Sequence, residues 1–212
     1  MYISRIELYT QKLATRLALS SPQILHAAIE RCFDREGGEK ERKLWRLDRF
    51  RGKLYLVLLS PGLPDFTHFA AQFCEEGVSG EFKAYQPVLD GIKNGQRLRF
   101  RLRANPVHSV PIVHGERGKI FPQVTIAQKQ AWLIKRSESC GFTLGEDDFT
   151  VVESRIMRFK RKERESRVEL NIAVYEGELV VIDAARFVQA LINGIGRAKA
   201  YGCGLITVAR IM

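Results

Sequence analysis

Tyr2-Ile-Ser-Arg-Ile-Glu-Leu8 alternates with the period of two of a β-strand, and the run of elements after it decides the fold. Residues 22–33 read as a helix, residues 43–47 and 54–60 as strands, residues 66–74 as a second helix and residues 81–85 as a further strand. That order is β-α-β-β-α-β, the ferredoxin-like pattern that RNA-recognition domains also use. Residues 86–95, with Pro87, Asp90-Gly91 and Asn94-Gly95, read as a turn-rich linker. Beyond it the second half is similar in kind. Strands at 97–104 and 149–159 flank a helix at 125–139, strands at 168–175 and 179–182 precede a helix at 184–192, and a final strand covers 205–210. The expectation is an α+β protein of two tandem ferredoxin-like (RRM-like) domains, residues 1–88 and 96–212, with a C-terminal glycine-rich loop.

The 212 residues, 45% of them hydrophobic, suffice for one large core or two domains of about 100 residues each. There are 34 Lys and Arg against 24 Asp and Glu, net +10. Residues 1–90 hold 13 basic and 12 acidic side chains while residues 91–212 hold 21 and 12, which makes the second half the one suited to a polyanion. No apolar run is long enough to span a bilayer and the N-terminus lacks a signal pattern, so a soluble cytoplasmic protein without a membrane partner is expected. Cys32, Cys74, Cys140 and Cys203 are widely spaced, which indicates neither a disulfide framework nor a zinc site.

Asn193-Gly-Ile-Gly-Arg-Ala-Lys-Ala-Tyr-Gly-Cys-Gly204 joins the last helix to the last strand. Gly194, Gly196, Gly202 and Gly204 offer bare backbone N–H groups beside Arg197 and Lys199, which suits a phosphate chain; a crowded turn needing positive φ is the other reading. The stretch matches neither the dinucleotide fingerprint nor the triphosphate loop, so nucleotide cofactors are not expected.

Two further basic elements stand out. In Arg97-Leu-Arg-Phe-Arg-Leu-Arg103 the four arginines share one face of a strand, a row roughly 20 Å long. It fits a nucleic-acid backbone, or an edge strand whose cations pair with neighbouring acids. Residues 155–167 hold seven basic and two acidic side chains between two strand signals, a cationic hairpin of a width to enter a nucleic-acid groove, or else a solvated loop. The first domain has no clear aromatic strand for stacking bases, so binding by loops and basic edges is expected.

Proton chemistry points to His26. His68 lies at a helix start, and His108 and His114 in a turn-rich stretch. His26 follows Ser21, an N-cap residue, and Pro22, suited to the first helical position. It lies beside the apolar stripe of Leu25, Ala28, Ile29, Cys32 and Phe33, on a flank with Gln23 and Glu30. An imidazole there can move protons near neutrality, or be an ordinary surface side chain.

Leu102-Arg-Ala-Asn-Pro106 after a basic strand, the 194–204 glycine motif, the Met1-Tyr-Ile-Ser4 start and a histidine in the first helix together resemble the CasE family. These are CRISPR repeat-processing endoribonucleases of the Cascade complex. The resemblance spans nearly the whole chain. It implies binding of the repeat stem-loop and cleavage at the 3′ base of the stem, with no metal or cofactor. The 2′-hydroxyl attacks the adjacent phosphate and leaves a 2′,3′-cyclic phosphate and a 5′-hydroxyl. The mature crRNA and other Cascade subunits are then partners. It also implies His26 as general acid or base, with Arg155, Arg158, Lys160 and Arg161 of the hairpin on the RNA. Arg31, Arg103, Arg197 and Lys199 are further RNA contacts, and Gly194, Gly196, Gly202 and Gly204 hold the loop. Gln23 stands where the family often has tyrosine; an amide can bond ribose or phosphate but cannot act as a phenolic acid. A non-catalytic guide-RNA scaffold and a basic adaptor for acidic protein partners are the alternatives.

Overall fold

The computed structural model describes residues 1–33, 41–110, 119–161 and 164–211, with residues 161 and 164–166 described by backbone alone. His114 lies outside the described residues. The chain divides into two compact units. The first comprises Met1–Gly91 with Phe159–Ser166 and Lys199–Gly202; the second comprises Ile92–Arg158, Arg167–Ala198 and Cys203–Met212.

The first unit runs β1 (Tyr2–Leu8), α1 (Leu13–Ser20), α2 (Pro22–Arg31), β2 (Leu44–Phe50), β3 (Lys53–Ser60), α3 (Thr67–Phe73), β4 (Glu81–Ala84) and α4 (Gln86–Asp90). Its antiparallel sheet has the order β2-β3-β1-β4, the ferredoxin-like arrangement. Strand β1 is central, in register from Tyr2↔Ser60 to Leu8↔Leu54 on one side and from Tyr2↔Ala84 to Arg5↔Glu81 on the other. Its alternation sends Ile6 and Leu8 into the core, against Leu25 and Ile29 of α2, Trp45 of β2 and Phe69 and Phe73 of α3. Arg51 (φ 49°) and Gly52 (φ 79°) turn β2 into β3 with both central residues left-handed, the geometry that follows strand twist in a two-residue hairpin.

The second unit contains β5 (Arg97–Ala104), β6 (Val107–Val110), β7 (Lys119–Pro122), α5 (Ile126–Ser137), β8 (Phe142–Thr143), β9 (Phe149–Arg161), β10 (Arg164–Val181), α6 (Ala184–Asn193) and β11 (Ile206–Arg210). Strands β11-β5-β10-β8 form one sheet, with β9 also paired to β10, while β6 and β7 form a separate hairpin. Leu98, Phe100 and Leu102 of β5 are buried, as are Trp132 and Leu133 of α5 and Phe187 and Leu191 of α6. Trp132 stacks on Tyr175 at 6.2 Å between centroids, and the Tyr175 hydroxyl donates to Lys129 O at 3.1 Å. Thr125 and Gln128 cap α5 reciprocally.

Several elements differ from expectation for identifiable reasons. Helix α1 buries only a short face of small side chains, with Ala18 in the core and Ala14 and Leu19 packed partly against it, too weak a pattern to announce a helix. Leu13 and Leu17 are exposed, and polar bonds also tether the segment, from Thr15 Oγ1 to Phe73 O (2.9 Å) and from Lys12 Nζ to Ala71 O and Cys74 O (both 2.8 Å). The expected linker begins as α4, because Pro87 is tolerated in a first helical turn and Leu89 is buried. The two strands expected at 168–175 and 179–182 are one strand. Glu176-Gly177-Glu178 stays in register with Arg101-Phe100-Arg99, and a Cβ at Gly177 would fall 2.5 Å from Phe149 Cα and closer still to Asp148 O. Gly177→Ala is therefore expected to destabilise the protein by about 1–3 kcal/mol, read as a lowered urea midpoint with an unchanged m-value.

Candidate catalytic centre and nucleic-acid surface

Pro22 opens α2 at its first position and Ser21 is its N-cap residue, although the Ser21 side chain makes no capping bond. The buried face is Leu25, Ala28, Ile29 and Cys32, with Phe33 partly buried against the same core. One turn along, this leaves His26 at the edge of the stripe with its side chain 37% exposed. Its Nδ1 lies 3.8 Å from Glu30 Oε1, one helical turn away and beyond hydrogen-bond length. The other carboxylate oxygen of Glu30 accepts from Lys43 Nζ at 2.8 Å, and that ammonium lies over the Phe33 ring at 4.9 Å. A carboxylate anchored on one side by lysine thus faces Nδ1 of His26. Gln23, one turn before His26, has a buried Oε1 with no hydrogen-bond partner among the described residues.

The turn Lys199–Tyr201, a single 3₁₀ turn, packs against α2 and β2 within the first unit. Gly202 (φ 76°) closes it so near the indole of Trp45 that a Cβ would fall 2.7 Å from Cζ3. The Tyr201 ring meets Phe159 of β9 edge-on, with centroids 5.0 Å apart. Lys160, exposed, follows Phe159. His26, Gln23, Arg31, Lys160, Lys199 and Gly202 therefore belong to one compact unit. Arg31 is exposed and lines a shallow cleft with Asp65, His68 and Gln72.

Other expected site residues lie in the second unit, and some are committed to internal pairs. Arg155 bonds Glu153 at 3.0 Å and Arg158 bonds Glu169 across the hairpin at 2.7 Å; both arginines keep exposed surface. The side chain of Arg161 and the hairpin tip at 162–163 lie outside the described residues. Arg197 is exposed. Arg103 is only 3% exposed, so it offers no surface to RNA in this structure, contrary to expectation. It borders Cys203, whose thiol burial pushes up to about 11 against the opposing pull of Arg103 and Arg155. The arginine row pairs with acids: Arg97 with Glu178 (2.8 Å) and Asp148 (3.6 Å), Arg99 with Glu178 (3.8 Å), and Arg101 with Glu176.

The glycine loop also differs from a row of open N–H groups. Gly194, Gly196, Gly202 and Gly204 all have positive φ, as crowded turns demand. The N–H groups of Gly194, Ile195, Gly202 and Gly204 donate to Ala190, Gly204, Lys199 and Arg103 carbonyls. Glu30 and Lys43 were not among the expected site residues. Glu30 was legible as the i+4 neighbour of His26, but nothing in the local pattern around Lys43 marks it as the ion partner. Among the described residues, no cluster of three or more His, Cys, Asp or Glu side chains could hold a metal ion, and no helix is long and apolar enough to cross a membrane.

Paired α+β units, one of them bearing a half-exposed histidine beside a carboxylate, have counterparts among known proteins. The chain belongs to the family described as CRISPR associated protein, whose model matches residues 1–210. It is 33% identical over 222 residues to the CRISPR-associated endoribonuclease Cse3 of Thermus thermophilus, covering 99% of this chain and all of the relative. It is 29% identical over 196 residues to the CRISPR system Cascade subunit CasE of Escherichia coli, covering 85% of this chain and 96% of that one. The structure of Thermus thermophilus Cse3 bound to an RNA representing a pre-cleavage complex matches with a TM-score of 0.80 and 30% identity, over 98% of each chain. The resemblance to the CasE family carried by residues 102–106 and 194–204 agrees with all three.

Because φ at Gly202 is positive and Trp45 occupies the place of a Cβ, Gly202→Ala is expected to cost about 2–4 kcal/mol, the sum of overpacking and left-handed strain. Chemical denaturation checks it, and cleavage per folded molecule reports whether the turn also positions the site.

Proposed function

We propose that this chain is the endoribonuclease that processes CRISPR repeat RNA and then remains, with the crRNA, among the Cascade subunits of the cytoplasm. The supporting observation is the placement of His26. Its side chain is 37% exposed on α2, with Nδ1 3.8 Å from an anchored carboxylate, in a chain similar over its full length to a CRISPR-associated endoribonuclease.

The chemistry requires only alignment, charge stabilisation and proton transfer. The ribose 2′-oxygen attacks the adjacent phosphorus and loses its proton. The bond from phosphorus to the 5′-oxygen breaks, and that oxygen gains a proton. The products are a 2′,3′-cyclic phosphate and a 5′-hydroxyl. His26 serves as acid to the leaving oxygen or as base to the 2′-hydroxyl, with the Glu30 carboxylate facing its Nδ1. The orphaned Gln23 Oε1 gains a donor when a ribose hydroxyl enters, which offsets the cost of a buried unpaired acceptor. Exposed Lys160, Arg31 and Arg197 supply cations for the phosphate chain, as do Arg155 and Arg158 if RNA exchanges with Glu153 and Glu169. Lys199 is a further candidate contact. The glycines of residues 194–204 act through the loop's shape.

In EDTA, wild-type protein is expected to cut a repeat hairpin RNA to a cyclic phosphate. His26→Ala should slow single-turnover cleavage by about 10²- to 10⁴-fold while affinity persists. Tight hairpin binding with no cutting by the wild type would leave the non-catalytic scaffold instead. Glu30→Gln is expected to lower the cleavage rate roughly fivefold with hairpin affinity unchanged, since it removes the carboxylate that faces Nδ1. Lys43→Met, which removes the other partner of Glu30, separates that effect from loss of the lysine pair, and an unchanged rate in Glu30→Gln would remove Glu30 from the mechanism.

A further inference from the structure

The helices of a ferredoxin-like unit cover one face of its sheet and leave the other open, and RNA-recognition domains stack unpaired bases on that open face. In the second unit, Phe100 and Tyr175 turn into the core. The opposite face carries Arg97, Arg99 and Arg101 of β5 beside Thr207 and Ala209 of β11 along a shallow groove of about 680 Å³. Arg99 is 65% exposed. Left alone, three arginines at two-residue spacing would hold single-stranded RNA with little regard for sequence.

They are not left alone. The register puts Glu178 directly across from Arg99 and Glu176 directly across from Arg101. Glu178 reaches both Arg97 and Arg99, Glu176 pairs with Arg101, and Asp148 lies 3.6 Å from Arg97. Asp147 lines the same groove. Three cations thus face four carboxylates, in a half of the chain that carries 21 basic and 12 acidic side chains overall. Ion pairs at exposed positions add little to stability, so their main effect lies in the field that an approaching polyanion meets.

We propose that Glu176 and Glu178 determine specificity by neutralising the arginine row, so that the open sheet of the second unit does not compete with the hairpin site for unpaired RNA. The inference rests on the RNA-binding reading above. It assigns these two carboxylates a role in rejecting RNA and none in cutting it.

The test is the double variant Glu176→Gln, Glu178→Gln, with a 20-nucleotide oligouridylate and a repeat hairpin as probes at two salt concentrations. Oligouridylate affinity is expected to rise about tenfold, and the slope of log K against log salt to steepen by about 1.4, as the freed Arg99 and Arg101 meet phosphates at ~0.7 per contact while Arg97 keeps Asp148. Hairpin cleavage at saturating enzyme should not change. Glu75→Gln, Glu76→Gln adds the same net charge at exposed positions in the first unit and should alter oligouridylate affinity less than twofold. Unchanged oligouridylate binding in the folded double variant would overturn the proposal. So would a gain that persists when Arg97, Arg99 and Arg101 are also replaced by Gln. Glu178→Gln alone, which keeps the Arg101–Glu176 pair, carries the same comparison should the double variant fold poorly. A wild-type chain that cuts no hairpin refutes the nuclease reading and leaves this binding comparison intact.

Discussion

The absence of a side chain at Gly202 lets a late stretch of chain press against Trp45, and the unit that bears His26 is built around that approach. Its φ of 76° is available to glycine at little cost, and the indole fills the space that any other residue would need. Tyr201, one residue earlier, meets Phe159 edge-on, so the same turn also fixes the point at which β9 enters this unit. Helix α2 supplies the histidine, while the turn on which it packs comes from residues 199–202. Glycine at this position therefore serves geometry first, and any contact that the loop makes with phosphate depends on that geometry.

What could be read in advance followed the physics of local periodicity. Strands β1 and β5 and the buried stripe of α2 were legible because alternation and helical spacing repeat within a few residues. Helix α1 was not, because its apolar face is short, only Ala14, Ala18 and Leu19, and Lys12 and Thr15 add bonds to carbonyls some sixty residues away. The arginine row illustrates the limit most sharply. Its strand and its facing were correct, yet what the row does depends on Glu176 and Glu178, acids more than seventy residues away, and that pairing is written only in the register. Arg103 continues the same alternation and ends buried, which no count of charges in the strand would reveal. His26 stood out by its place beside the α2 stripe, and Glu30 lay in plain view one turn on. Lys43, which anchors Glu30, comes from just before β2 and could be placed only by the fold.

Where the CasE resemblance implies a tyrosine, Gln23 would shift the balance of the proposed mechanism. A phenol can give or take a proton, whereas an amide can only direct hydrogen bonds. Proton movement then falls on His26 and its carboxylate, and Gln23 contributes position. Its buried oxygen, without a partner among the described residues, suits a site whose hydrogen bonding is completed by substrate. The comparison with the pre-cleavage complex of the Thermus thermophilus relative makes that a question about one side chain in a known fold, since the two chains match over nearly their whole lengths.

The composition of the first unit also bears on how the protein is made. Residues 1–91 leave the ribosome well before residues 159–166 and 199–202, which belong to the same unit. At synthesis rates of about 5–20 residues per second the interval is on the order of ten seconds. Throughout it the nascent chain carries its histidine on an unfinished scaffold, with the face of Trp45 that Gly202 will cover still open. The unit that bears His26 is therefore completed only once residues 199–202 have been made.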